Sequence, residues 1–226
     1  MPKDASQPHP SPTGRTRRPR GSLGPDVILD AAEQLAGDGF GALTVRAVAT
    51  RLGASPMALY NHFATKDALV DALLDRVLQR FAPPRPSDDW QEDLRAFAHA
   101  HRQLLAAHPW AVAPLFTQPN PGLGAVRIGE HALEILRRGG FSDADAVAAF
   151  SGIIALNYGW ASFTTARDID PAARGSEVGA MLAALPPDAF PLTVAVAAEL
   201  GTYGSDAHYR FVLDGLIRGL SRPGAG

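Results

Sequence analysis

LTVRAVATRLGASPMALYNHFATK, Leu43 to Lys66, is punctuated as two short helices joined by one sharp break. Thr44 can cap the first, its hydroxyl accepting from the free N–H groups of the opening turn. Val45, Val48, Ala49 and Leu52 then recur at helical spacing, with Arg46, Thr50 and Arg51 on the other face. Gly53 ends that helix, because glycine enters the left-handed conformation without a Cβ penalty. Ser55-Pro56 opens the next: serine caps, and proline at the first helical position gives up only an N–H that had no partner. The spacing predicts a second helix over Pro56 to His62 after a turn of about 3–4 residues, the connection of a helix-turn-helix.

Leu59 and Phe63, at i and i+4, are the inward pair of that second helix. Met57, Ala58, Tyr60, Asn61 and His62 are left at its outer side, where an ordinary surface helix would carry Lys and Glu. Small, aromatic and amide side chains suit a DNA groove: Met57 and Ala58 can meet thymine methyls, Asn61 and His62 can reach base edges or phosphates, and Tyr60 can reach a phosphate oxygen. Lys66 follows the N-cap candidate Thr65, so an ammonium and a helix N-terminus can share one phosphate. The alternative is that Tyr60 and His62 pack a three-helix core.

These residues resemble the tetracycline-repressor (TetR) family of bacterial transcription regulators. The resemblance begins at Ile28-Leu29-Asp30-Ala31-Ala32 and passes through Gly39-Phe40, Leu43 to Arg46, Val48-Ala49, Leu52 to Ser55, Leu59 to Phe63 and Lys66 to Leu69. It implies an all-α homodimer whose small N-terminal three-helix domain binds a palindromic operator and whose larger helical C-terminal domain holds an effector pocket and the dimer contacts. By position it implies a DNA surface of Arg46, Ser55, Met57, Ala58, Tyr60, Asn61, His62 and Lys66. Trp90-Gln91, Leu94-Arg95, Leu104-Leu105, Ala107-His108 and Gly140 to Ser142 extend the likeness more loosely toward the C-terminus. Pro114 stands where the resemblance expects a metal-ligating histidine, and Phe163 where it expects a pocket carboxylate. Both departures argue against chelated magnesium-tetracycline as the effector.

Composition agrees with a globular chain of more than one core: 226 residues, 46% apolar and 19% charged. With no cysteine, disulfides, thiol catalysis and thiolate metal sites are excluded. The net charge of −2 conceals a polarity: residues 1–66 hold eight Lys/Arg against five Asp/Glu, and the remainder thirteen against eighteen. A basic reader on an acidic body turns the N-terminal end toward phosphates. Residues 1–22 read as a Pro-rich basic tail without the apolar core of a secretory signal. Within it, Arg15, Arg17, Arg18 and Arg20 are either solvated or an arm lying along DNA. Residues 23–70 are assigned to the DNA-binding domain and 71–222 to the effector-binding and dimerisation domain.

Asp67 to Phe81 continues as a helix that leaves the small domain, stopped by Pro83, Pro84 and Pro86, and is the expected mechanical link between reader and body. Ser87 is the expected cap of a helix through Trp90, Leu94, Phe97, His101 and Leu105, which stops at His108-Pro109. His99 and His101 fall on different faces, so no i, i+4 metal pair forms, and neither metal nor cofactor is implied. His101 beside Phe97, Trp110 and Phe116 reads as the polar member of an aromatic effector pocket or, equally, as a hydrogen-bonded core histidine. Ala146 to Ala166 has no charged residue; its length would suit a membrane span, but its many polar groups favour the centre of a helical domain. There Asn157, Tyr158 and Trp160 can line the same cavity. A helix near Glu177 to Leu185 is expected, and a last one over Ser205 to Leu220 whose broad apolar face pairs with Asp143 to Ala166 in a dimer bundle. The reading is of a cytoplasmic, ligand-responsive repressor with a small hydrophobic or aromatic effector. A ligand-independent architectural DNA-binding protein is the alternative. An enzyme is disfavoured by the lack of a nucleophile elbow, a phosphate loop or a carboxylate pair.

Overall fold

The structure, a computed structural model, describes residues 23–117, 122–165 and 171–220. Among them are twelve α-helices and no strand. The tail of residues 1–22, with its arginine cluster, lies outside the described residues.

The first three helices are α1 (Pro25–Gly37), α2 (Val45–Leu52) and α3 (Pro56–Tyr60), with one 3-10 turn at Phe40–Ala42 after α1. Thr44 caps α2 by accepting from the Ala47 N–H at 3.0 Å, and Ser55 caps α3 by accepting from Ala58 at 3.3 Å. Between them Gly53 takes φ +63°, the left-handed turn that lets α3 leave α2. Ile28, Ala32, Leu43, Val48 and Leu59 close over one another in a dry core. Each large aliphatic buried there stabilises the domain by about 2 kcal/mol. The second reader helix is shorter than its sequence predicts. It ends at Tyr60, where His62 N–H bonds the Leu59 carbonyl three residues back and tightens the last turn, so Asn61 and His62 follow in a turn.

Helix α4 (Lys66–Leu78) is capped by Thr65 and runs out of the small domain with Leu69, Leu73, Leu74 and Val77 buried. It stops three residues short of Phe81, ahead of the prolines. Helix α5 (Trp90–Ala107) begins later than Ser87, because Asp89 is its cap, accepting from Gln91 N–H at 2.8 Å. The Ser87 N–H instead donates to Asp93, which Arg138 also holds, at 2.5 Å. Then come α6 (Pro109–Thr117), with Pro114 inside it, α7 (Leu123–Arg138) and α8 (Asp143–Thr165).

Helix α8 has the length and composition to cross a bilayer, but its faces differ. Ala146, Ala149, Ile153, Asn157 and Ala161 recur every three or four residues and are buried against the body, while Val147, Ser151, Ala155, Gly159 and Ser162 are exposed. After α9 (Pro171–Ala183), α10 (Pro191–Ala195) and α11 (Ala197–Gly201), α12 (Asp206–Gly219) returns to pack on α5 and α8. The helix expected near Glu177 to Leu185 starts earlier and ends at Ala183. The apolar face of α12 is divided rather than uniformly outward: Tyr209, Leu213 and Ile217, spaced i, i+4, i+8, enter the core, and Phe211 and Val212 remain exposed.

Candidate functional site

The outer side of α3 is built by what lies beneath it. Leu59 is sealed in the core where α3 packs on α2, and with Ser55 and Pro56 fixing the first turn the rotation of the helix is set. Met57 is then 70% exposed and Tyr60 43% exposed. Ser55, Asn61, His62 and Lys66 are exposed as well, Ala58 is half-buried, and Arg46 is exposed on α2. The core alternative for Tyr60 and His62 therefore fails.

Helix α4 binds the small domain to the large one. Arg76 donates to Asp30 at 2.5 Å and to the Asp26 carbonyl, both in α1. Arg80, just past α4, forms a two-pronged pair with Glu33 of α1, Nη2 to Oε2 at 2.7 Å, and Nη1 also meets Nε2 of His108 at 2.8 Å. The Arg80 hydrogen bond holds the Glu33 carboxyl below the usual range. The same end of α4 also meets α7: Asp75 accepts from the Gly124 N–H at 2.6 Å, and a Cβ on Gly124 would sit 2.8 Å from Leu78 Cβ and 2.9 Å from the Asp75 carbonyl. Glycine is required there for backbone to meet backbone.

Within the large domain a polar group sits in the core. The Asn157 amide donates to the Ala98 carbonyl at 2.9 Å and approaches His101 Nδ1 at 3.1 Å, and its oxygen accepts from Tyr209 OH at 2.6 Å. Because a carbonyl can only accept, the amide orientation is forced, and His101 Nδ1 must be the acceptor with the proton on Nε2. Burial pushes the His101 pKa down to about 4. Phe97 stacks on the imidazole with rings 5° apart, and Tyr158 meets it edge-on. Phe116 reaches this group through Tyr158, and Trp160 through Tyr209. Among the described contacts the structure thus links five of the six residues expected at the effector site. Trp110 stands apart, half-buried on α6, and Phe116 is 69% exposed at the rim.

Tyr209, which sequence reasoning placed on the dimer face, is the member it missed; its spacing with Leu213 and Ile217 was the available signal. The Trp160 indole N–H is buried without a hydrogen-bond partner. Two open grooves of about 450 and 420 Å³ lie elsewhere, one between α8 and the end of α12 around Gly152 and Leu216, the other between α7 and α8 around Leu133 and Val147. Neither groove is lined by a member of the aromatic group.

A capped helix pair presenting apolar and amide side chains outward, tied through one long helix to a larger helical body with a polar-aromatic centre, defines a helix-turn-helix DNA-binding transcription regulator. Residues 28–73 match the bacterial regulatory proteins of the tetR family, and residues 82–223 match the tetracyclin repressor-like C-terminal domain; the chain belongs to this family. It is 31% identical over 207 residues to the class A tetracycline repressor protein from transposon 1721 of Escherichia coli, covering 88% of this chain and 91% of that one. It is 37% identical over 133 residues to an HTH-type transcriptional regulator of Saccharopolyspora erythraea, a match spanning 58% of this chain but only 56% of that relative. In three dimensions it resembles the TetR family protein ActR of Streptomyces coelicolor, solved in complex with (S)-DNPA, with TM-score 0.74, 27% identity and coverage of 88% and 96%.

Proposed function

We propose that the chain is a cytoplasmic, ligand-responsive repressor that binds a palindromic operator as a homodimer and leaves it when a small aromatic effector binds the large domain. Arg46, Ser55, Met57, Ala58, Tyr60, Asn61, His62 and Lys66 make the DNA surface, within a reader of residues 23–70. Residues 71–222 carry Phe97, His101, Trp110, Phe116, Asn157 and Trp160 around the effector, together with the dimer contacts. The observation that carries this reading is the exposure of Met57 and Tyr60 on a helix whose opposite side is sealed by Leu59. A solvated helix gains nothing from such side chains, whereas a groove does.

The effector half of the reading is supported by the ring of aromatics about one histidine, by the orphaned Trp160 donor and by the bound small molecule in ActR. An aromatic compound with a carbonyl or hydroxyl acceptor suits such a lining. No catalysis is assigned to it. The test is a gel shift with duplex DNA from upstream of the protein's own gene, repeated over a panel of aromatic compounds. Retardation that one compound class abolishes is the expected result; retardation that no compound disturbs would favour the architectural alternative.

A further inference from the structure

Three elements converge where the small domain meets the large one. Glu33 comes from α1, Arg80 from just beyond α4, and His108 from the corner between α5 and α6. The His108 Nδ1 lies 2.9 Å from the Leu104 carbonyl. That oxygen can only accept, so Nδ1 carries the proton and Nε2 presents a lone pair. The lone pair receives an N–H of Arg80 at 2.8 Å. The other N–H groups of the same guanidinium hold Glu33, whose Oε1 lies 3.9 Å from the His108 Nε2.

We propose that His108 is a proton-operated latch between the two domains: neutral, it holds Arg80 in place; protonated, it expels Arg80 and takes Glu33 in its stead. The step is the addition of one solvent proton to Nε2, with no other bond made or broken covalently. Once Nε2 carries hydrogen, two donors face each other at hydrogen-bond distance and cannot both remain. Nδ1–H keeps the Leu104 carbonyl, and the new Nε2–H faces the Glu33 carboxylate, whose Oε1 is 3.9 Å away. Arg80 must then leave His108 and share or surrender Glu33, which frees the chain just past α4.

The charged groups facing His108 are Glu33 from α1 and Arg80 from beyond α4, with Asp30 and Arg76 paired behind them. Residues 109–117 of α6 contribute none. Both arrangements leave the Glu33 carboxylate with a donor. Helix α4 also carries Lys66 at its far end, so the latch state bears on how firmly the reader is held.

Nuclear magnetic resonance of the isotope-labelled full chain tests the latch without DNA, and so independently of the reader assignment. At neutral pH the long-range coupling pattern should report hydrogen on Nδ1 of His108. As His108 titrates, the Arg80 Nε–H resonance should move with the same midpoint. A proton on Nε2 at neutral pH, or an Arg80 signal indifferent to that titration, would overturn the proposal.

His108→Gln keeps an oxygen acceptor for Arg80 but cannot titrate. Operator affinity measured on the upstream duplex should fall about fivefold more in the wild type than in His108→Gln between about pH 8 and about pH 5.5. The reader is identical in the two proteins, so its own contribution cancels from the ratio. Equal pH profiles in a folded variant would also overturn the latch.

Discussion

His101 stays neutral because nothing around it can compensate a charge: Phe97 and Tyr158 cover the ring and Asn157 donates to its one free lone pair. Its folded pKa of about 4 lies below the ordinary 6.5. Between those values the unfolded chain binds a proton that the folded chain refuses, so stability is full above about 6.5 and falls as pH drops toward about 4. The loss is on the order of 3 kcal/mol. Urea unfolding at about pH 7.5 and about pH 5 should show the drop, and His101→Gln, which keeps an acceptor for Asn157, should flatten it. The carboxylates act in a later window. Burial pushes Asp93 up, but Arg138 and Ser87 outweigh it and hold it low, and Arg80 does the same for Glu33. A lowered carboxylate contributes stability above its ordinary pKa and loses it only as pH falls through the folded value. Acid should therefore weaken the large domain's centre before its ion pairs. Asn157→Ala should cost about 2–4 kcal/mol in the same assay, since it leaves His101 Nδ1 without its donor and Tyr209 OH with only its longer contact to the Ala98 carbonyl.

At the scale of the element, the reader makes separable predictions. Tyr60→Ala and Lys66→Ala each remove an exposed side chain that supports nothing in the fold, so melting temperature should be unchanged within experimental scatter. Operator binding should weaken in both, and for Lys66→Ala the slope of log affinity against log salt should shallow by about 1. Fluorescence anisotropy over a salt series distinguishes this from a fold defect; unchanged binding in both variants would remove α3 from the groove. Gly124→Ala tests the opposite kind of position. A methyl there meets Leu78 and the α4 backbone, so α7 must withdraw from α4 and Asp75 must release its N–H. A loss of about 1–3 kcal/mol in unfolding free energy is the expected cost.

The same elements explain what could be read without coordinates. The caps at Thr44, Ser55 and Thr65 and the turn at Gly53 are contacts between residues a few positions apart, so the local sequence contains the whole interaction. Position 87 misled because a serine, an Asp-Asp pair and a buried carboxylate compete for one helix start, and Arg138, some fifty residues away, decides it. The role of Tyr209 depended on which side of α12 meets α5 and α8. Periodicity marks a helix face as apolar but does not say what covers it.

At the scale of the molecule, the outer faces of α8 and α12 pose one question. Phe211 is 75% exposed, Val212 and Val147 stand out beside small residues along α8, and no part of the described chain covers them. A self-complementary pairing about a two-fold axis would bury both faces in a four-helix arrangement, with Phe211 as the aromatic anchor that contributes most per residue. Light scattering at micromolar concentration should give twice the chain mass of 23.8 kDa, and Phe211→Asp should give the single mass with the helical circular dichroism retained. The geometry of the reader follows from that pairing. A two-fold dimer offers two copies of α3 to one duplex, and both can enter the major groove only when they lie about 34–36 Å apart, one helical turn. Footprinting should therefore protect an inverted repeat, and inserting about 5 base pairs at its centre should put the half-sites on opposite sides of the duplex and reduce binding to that of one half-site. Phe211→Asp should bind the intact repeat no better than the wild type binds the split one. An unchanged footprint from the monomeric variant would mean that each reader acts alone.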